Sequence, residues 1–187
     1  GWTYWAIGGA VAGLILSLFG SFLDFYIMKR RKRMLNDPLF IKLQKRFSLQ
    51  KHAHLLGGYY RNHPISIGWS FLPIGRTPRP GLSIFTVFNP TKSDKLYEIK
   101  KQVNKTSKLM VESFYVYQFL KLDRNNIDIS DIEKLLDQNI RIIQKYSSAP
   151  VADKCINCQA NIKKFDYKII NDIPVPICSA CEKKVGQ

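Results

Sequence analysis

Hydrophobic and polar positions change period several times along the 187 residues, and each change marks an element. From Trp2 to Leu23 no charged residue occurs, and Ile, Leu, Val, Ala, Phe and Gly fill most of the run. At 1.5 Å per residue these 22 positions would form a helix of about 33 Å, enough to cross roughly 30 Å of hydrocarbon. Trp2, Tyr4 and Trp5 at one end and Phe25 and Tyr26 at the other stand where interfacial aromatic belts are expected. The run is longer than a signal peptide's apolar core, carries no basic flank before it and has no A-x-A-like cleavage site after it. The pattern therefore predicts a single transmembrane helix over residues 1–28. Gly9 and Gly13, in GxxxG spacing, would let another helix pack closely against it.

After a basic juxtamembrane segment (29–35), residues 36–150 read as a small α+β domain, a helix with an antiparallel sheet. Asp37-Pro38 supplies an N-cap and a proline for the first helical position. Leu39, Phe40, Leu43 and Phe47 recur at helical spacing, and Gly57-Gly58 is expected to stop that helix after Leu56. Ile65, Ile67, Trp69 and Phe71 then alternate strictly until Pro73, the pattern of a half-buried strand. Residues 75–81, rich in Gly and Pro, read as a loop. Residues 82–88 form a compact apolar strand ended by Asn89-Pro90, residues 95–104 fit strand or helix, and residues 111–122 read as a strand. Ser130 and Glu133 have capping-box spacing, and Ile132, Leu135, Leu136, Ile140, Ile143 and Tyr146 make the following segment an amphipathic helix.

No catalytic set emerges from this region. The sequence holds no GxxxxGK[ST], GxGxxG, GxSxG or HExxH pattern. His52, His54 and His63 are its three histidines, and only the first two have a spacing that would share one strand face. Tyr59-Tyr60-Arg61 could stack on nucleic-acid bases, but aromatic side chains at such positions more often belong to a core.

The element order is a span, a short helix ending at Leu55-Leu56-Gly57-Gly58, and strands over 65–72, 82–88 and 114–122. Over about residues 3–122 this order resembles the mitochondrial inner-membrane family that joins cytochrome oxidase assembly factor one to the translocase subunit Tim twenty-one. The resemblance implies one span, a helix-plus-meander domain, no enzymatic activity and association with respiratory-chain complexes. Two features depart from that family: the orientation favoured by the basic segment, and a cysteine-rich tail.

All four cysteines lie in that tail, as Cys155-Ile-Asn-Cys158 and Cys178-Ser-Ala-Cys181. The spacing is that of a structural zinc site, in which each C-x-x-C knuckle aims two thiolates at one tetrahedral Zn²⁺. Phe165–Ile170 and Ile173–Ile177, joined by Asn171-Asp172, read as the hairpin of a C-terminal zinc ribbon over residues 151–187. Two disulfides, a redox-active pair or an iron centre use the same residues. Four protein ligands leave no open coordination position, so the metal's expected role is structural and the chain is expected not to be an enzyme.

Charge sharpens this picture. The formal net charge is +15, and residues 29–46 alone carry +7, beginning with Lys29, Arg30, Arg31, Lys32 and Arg33. Those five are expected to lie at a membrane surface, against anionic lipid headgroups, and to keep the following domain on the cytosolic or matrix side. The function expected is that of a single-pass, non-catalytic accessory or assembly subunit of a larger membrane protein complex. Its partners would be other membrane subunits and anionic lipids, in the mitochondrial inner membrane or, as the alternative, a bacterial plasma membrane. Lys154, Lys163, Lys164, Lys168, Lys183 and Lys184 give some basis for the other reading, a membrane-tethered nucleic-acid-binding ribbon, which a bilayer anchor disfavours.

Overall fold

A computed structural model describes the backbone of residues 2–74, 77–90, 109–121, 127–147, 150–162 and 167–185. Within these elements it does not describe the side chains of 2–12, 14, 15, 19, 71–74, 77–79, 146 and 185. The segment 95–104, expected as strand or helix, lies outside the described residues.

Helix α1 (Trp2–Met34) runs unbroken through the apolar stretch and the basic segment, whose Arg31, Lys32 and Arg33 occupy its last turn, where cations suit the helix dipole. The expected transmembrane helix is not found: among the described residues no helix is long and apolar enough to cross a membrane. Of the expected span's side chains before Asp24, those at 13, 16–18 and 20–23 are described. The rest of the expected span belongs to side chains that are not described.

Asp37 caps helix α2 (Pro38–Phe47) as expected, its Oδ1 accepting from the Leu39 amide at 2.9 Å. The helix ends nine residues before Leu56, because Ser48 adopts a left-handed conformation (φ 53°) and Ala53 another (φ 37°). Strands β1 (Gln50–His52) and β2 (Leu55–Tyr60) replace the expected final turns. Gly57 and Gly58 therefore sit inside β2 and do not terminate a helix. Strand β3 (His63–Ile74) pairs with β4 (Thr77–Val87), which absorbs most of the expected loop and sets Pro73 opposite Pro78. The strand expected over 111–122 is a hairpin, β5 (Leu109–Val111) and β6 (Tyr115–Lys121), closed by the Glu112 amide on the Tyr115 carbonyl at 2.8 Å. The sheet order is β1-β2-β3-β4-β6-β5, with every neighbouring pair antiparallel.

Strict alternation gives this sheet two unlike faces. One carries Leu56, Ile65, Ile67, Trp69, Leu82 and Ile84, which pack under Phe40 and Leu43 of α2 and under Ile132 and Leu136 of helix α3 (Ile129–Tyr146). Full burial of such side chains stabilises by about 1.5–3 kcal/mol each, so this face holds the main core. Helix α3 starts two residues earlier than the capping box suggested. Asp128 is its N-cap, Ser130 Oγ donates to Asp128 Oδ2 at 2.9 Å, and Glu133 accepts from Arg46 of α2 at 3.2 Å.

The opposite face is built from small residues where its centre lies. Register places Gly57 opposite Ser66 and Gly68 opposite Ser83. Onto this face folds the C-terminal hairpin, β7 (Tyr167–Ile170) and β8 (Ile173–Pro176), with β8 against β3 and β4. A Cβ on Gly57 would meet the Tyr167 hydroxyl at 3.1 Å and His52 Cδ2 at 2.9 Å, so glycine is what lets the hairpin settle there. A short helix, α4 (Ser179–Val185), ends the described chain.

Candidate metal centre

The first cysteine pair sits on a tight turn. The Cys155 amide donates to the Ala160 carbonyl at 2.8 Å, and the Gln159 amide donates back to the Cys155 carbonyl at 2.9 Å. Gln159 accepts a left-handed conformation (φ 60°) to close the knuckle, and a bridge between Lys154 and Asn161 holds its base. The Ile156 amide donates to the Pro176 carbonyl at 3.0 Å, which ties the knuckle to the end of β8. The second pair straddles the start of α4, where the Cys181 and Glu182 amides donate to the Cys178 carbonyl at 3.0 and 2.9 Å. Between the pairs, Asn171 (φ 49°) and Asp172 (φ 69°) make the two-residue turn of the β7–β8 hairpin. Asn and Asp are the non-glycine residues that best tolerate that conformation, and this turn type matches the strand twist.

These local preferences bring all four sulfurs together. The Sγ atoms of Cys155, Cys158, Cys178 and Cys181 lie within 4.8 Å of one another, and all four are free thiols. Cys158 Sγ and Cys178 Sγ are 3.6 Å apart, well beyond the roughly 2.05 Å of a disulfide. Such a cluster could hold a metal ion. Cys155 is fully buried, Cys158 is exposed, and Cys178 and Cys181 are half-buried.

The electrostatics separate the thiols. Burial opposes ionisation of Cys155, but the amides of Cys178, Cys158 and Asn157 point at its sulfur, and the net effect pulls it from 9.0 down to about 6. Hydrogen bonding to Cys178 and Cys158, with some burial, pushes the Cys181 thiol up to about 12. Without a cation the cluster thus ionises at Cys155 first and resists a further thiolate at Cys181, and a divalent ion would remove that resistance. Because the Cys155 pKa is depressed in the folded chain, its amide–thiolate contacts stabilise fully above about pH 9 and fade as pH falls through 6.

Three contacts bind this unit to the domain. Asn89, at the end of the apolar strand β4, donates from Nδ2 to Asp153 Oδ1 at 2.6 Å and accepts from the Lys154 amide at 3.0 Å. Tyr167 meets His52 Nε2 at 3.2 Å and stacks edge-on against Tyr59 at 5.7 Å. At the hairpin turn the Asp172 carboxylate takes Arg31 Nη2 at 3.0 Å and His54 Nε2, while its carbonyl accepts from Ser66 Oγ.

The remaining sequence-derived candidates disperse. His52 and His54 contact different ribbon residues and share no ligand point; His63 is buried, its Nδ1 lies 3.0 Å from the Val87 carbonyl, and desolvation lowers its pKa. Tyr60 donates to Asp137 at 2.7 Å and Arg61 pairs with the same carboxylate at 3.1 Å, so the Tyr59-Tyr60-Arg61 run is used internally. Of the five basic residues, Arg31 faces the ribbon and Arg30 lies over the Trp69 ring at 5.0 Å from its centroid. Gly9 is outside the described side chains, and a Cβ on Gly13 would meet nothing within 4 Å. Lys163 and Lys164 lie outside the described residues, and Lys168 reaches Glu182 at 3.9 Å. Sequence reasoning missed Asn89, Tyr167, Asp172 and Arg31 as the seam. The one available signal was the Ser and Gly alternating with Ile65, Ile67 and Trp69, which marks a face open to close approach.

No protein-family model, no curated protein and no solved structure matches this chain.

Proposed function

We propose that this chain is a non-catalytic accessory or assembly subunit of a larger membrane protein complex, carrying a zinc ribbon that is structural. The observation that supports this most is the four-sulfur cluster itself. Tetrahedral Zn²⁺ with Zn–S of about 2.3 Å requires sulfurs roughly 3.8 Å apart, close to the 3.6 Å between Cys158 and Cys178. With four protein donors the ion has no vacant position for substrate or water, so the residues that would hold it supply rigidity and no reaction. The hairpin face of the ribbon is spent on the chain's own sheet. The surface left for a partner is the Cys158–Gln159 knuckle and α4, where Lys183 and Lys184 are exposed. Resemblance to the family of cytochrome oxidase assembly factor one and Tim twenty-one extends the reading to a respiratory-chain complex of the mitochondrial inner membrane.

Gentle extraction followed by native electrophoresis should find the chain in an assembly far larger than its 21.6 kDa. Emission spectroscopy of the purified chain should find one zinc per chain. A lone monomer overturns the subunit reading, and iron in place of zinc overturns the choice of metal.

A further inference from the structure

Helix α1 meets the domain across the middle of β3, and its neighbouring arginines grip both faces of that strand. Arg30 lies over the buried Trp69 ring on the core side, while Arg31 reaches Ser70 Oγ at 3.5 Å and Asp172 at 3.0 Å on the ribbon side. Arg31 is only 17% exposed, so this cation is committed to the fold. At 100° per residue, Lys29 and Arg33 stand about 160° around the helix from Arg31, one on either side of the opposite line. There, with Phe22, Phe25, Tyr26, Met34 and the flank of Arg30, they line a cleft of about 450 Å³ whose lining contains no acidic residue. Phe22 and Phe25 are each 66% exposed and Tyr26 54%, and the described apolar positions further back, Leu16 and Leu18, are more than half exposed too.

We infer that the basic segment is divided between two tasks: Arg31 clasps the domain, while Lys29 and Arg33, beside Phe22, Phe25 and Tyr26 and with Arg30 bridging from Trp69 to the cleft, form a site for the phosphate headgroup of an anionic lipid at a bilayer surface. The charge complements a phosphodiester, and the adjacent rings have the amphipathic character that favours the boundary between headgroups and acyl chains. An acidic protein groove would satisfy the cations but would not account for aromatic and aliphatic side chains exposed over successive turns beside them. Because Asp172 belongs to the ribbon turn and holds Arg31, the ribbon also sets which way this cleft faces. The inference rests on the membrane-complex reading proposed above, and names the lipid contact within it.

The test uses the full-length, metal-loaded chain with vesicles of phosphatidylcholine alone and of equimolar phosphatidylserine and phosphatidylcholine. The wild type should partition onto the anionic vesicles preferentially. Lys29→Gln with Arg33→Gln should lose about 30-fold, as expected for two cations taken from a charged surface. Arg31→Gln, checked for metal content to confirm an intact ribbon, should stay within about threefold, since its charge faces away from the surface by most of the helix diameter. Equal loss per charge at Arg31 and at Lys29 or Arg33 would overturn the division of tasks, leaving diffuse attraction. Equal partitioning onto both vesicle types would overturn the headgroup site. Absence of vesicle binding by a chain that still migrates in a large native assembly would overturn this inference alone, whereas a lone monomer on native gels would overturn the reading beneath it.

Discussion

Stripping the metal from the four-cysteine centre is expected to unfold residues 150–185 while the six-stranded sheet and its two covering helices stay folded. The ribbon buries few side chains of its own: among its described residues Ala152, Cys155, Pro174, Val175, Pro176 and Ile177 are the buried apolar ones. That is too little to offset the backbone entropy of ordering some thirty residues at about 1–2 kcal/mol each, so metal binding has to supply the difference. Structural zinc contributes about 10–16 kcal/mol of apparent binding energy in small metal-folded domains, which makes this the largest effect available to a single perturbation. The sheet has an independent core between β2–β4, α2 and α3 and does not depend on the ion. Hydrogen exchange before and after chelation should show lost protection at the Cys155, Ile156, Gln159, Ile162 and Cys181 amides, all donors within the ribbon. Amides of β3 and β4 should keep theirs. Cys155→Ser should match the chelated state, because that sulfur is buried and receives three amides; the exposed Cys158 should be the more tolerant of the first pair. Unchanged protection after verified metal loss would show that the ribbon folds by packing alone.

The cysteine pairs, the hairpin between them and the core-facing alternation of β3 were all legible as residue patterns, because each depends on spacing along one short segment. What could not be read is where separate segments meet. Gly57-Gly58 resembles a helix stop, and only the pairing of Leu56 with Ile67 turns it into the middle of a strand. The Gly and Pro of 77–81 resemble a loop, yet Gly81 is buried in β4, where a Cβ would come within 2.5 Å of the Leu120 carbonyl oxygen. All three glycines are there for close approach of a neighbour, a requirement that leaves the same residue type as a turn. The run of five cations looked uniform from composition. Helical rotation separates it, since residues two apart face nearly opposite ways, and the partner that claims Arg31 is 141 positions further along. Where the ribbon would sit against the domain was not legible either. In the structure its hairpin lies on Ser66, Gly68 and Ser83, a face whose lack of large side chains is the complement of the Ile65, Ile67 and Trp69 face that the alternation did reveal.

Asp172→Ala is expected to release that hairpin turn from α1 and to destabilise the chain by about 2–4 kcal/mol. The Asp172 carboxylate is 23% exposed and is shared by Arg31, 17% exposed, and His54, 15% exposed. Removing one member of a buried ion pair costs about 3–5 kcal/mol; partial exposure here reduces that to about 1–3 kcal/mol. Alanine adds about 1 kcal/mol because Asp172 has φ 69°, a conformation that a residue without a short polar side chain adopts poorly. Asp172→Asn keeps the turn preference and can still accept from Arg31, so it should lose about half as much. Single and double variants with Arg31→Gln, followed by denaturant unfolding of the metal-loaded chain, should give a coupling of about 1–2 kcal/mol. Hydrogen exchange should locate the change at the β7–β8 turn and in the last turns of α1, with the cysteine cluster still loaded. Additive losses would mean that Arg31 and Asp172 lie side by side without holding each other, and α1 would then be aligned by the Arg30–Trp69 contact and by Leu35 in the core.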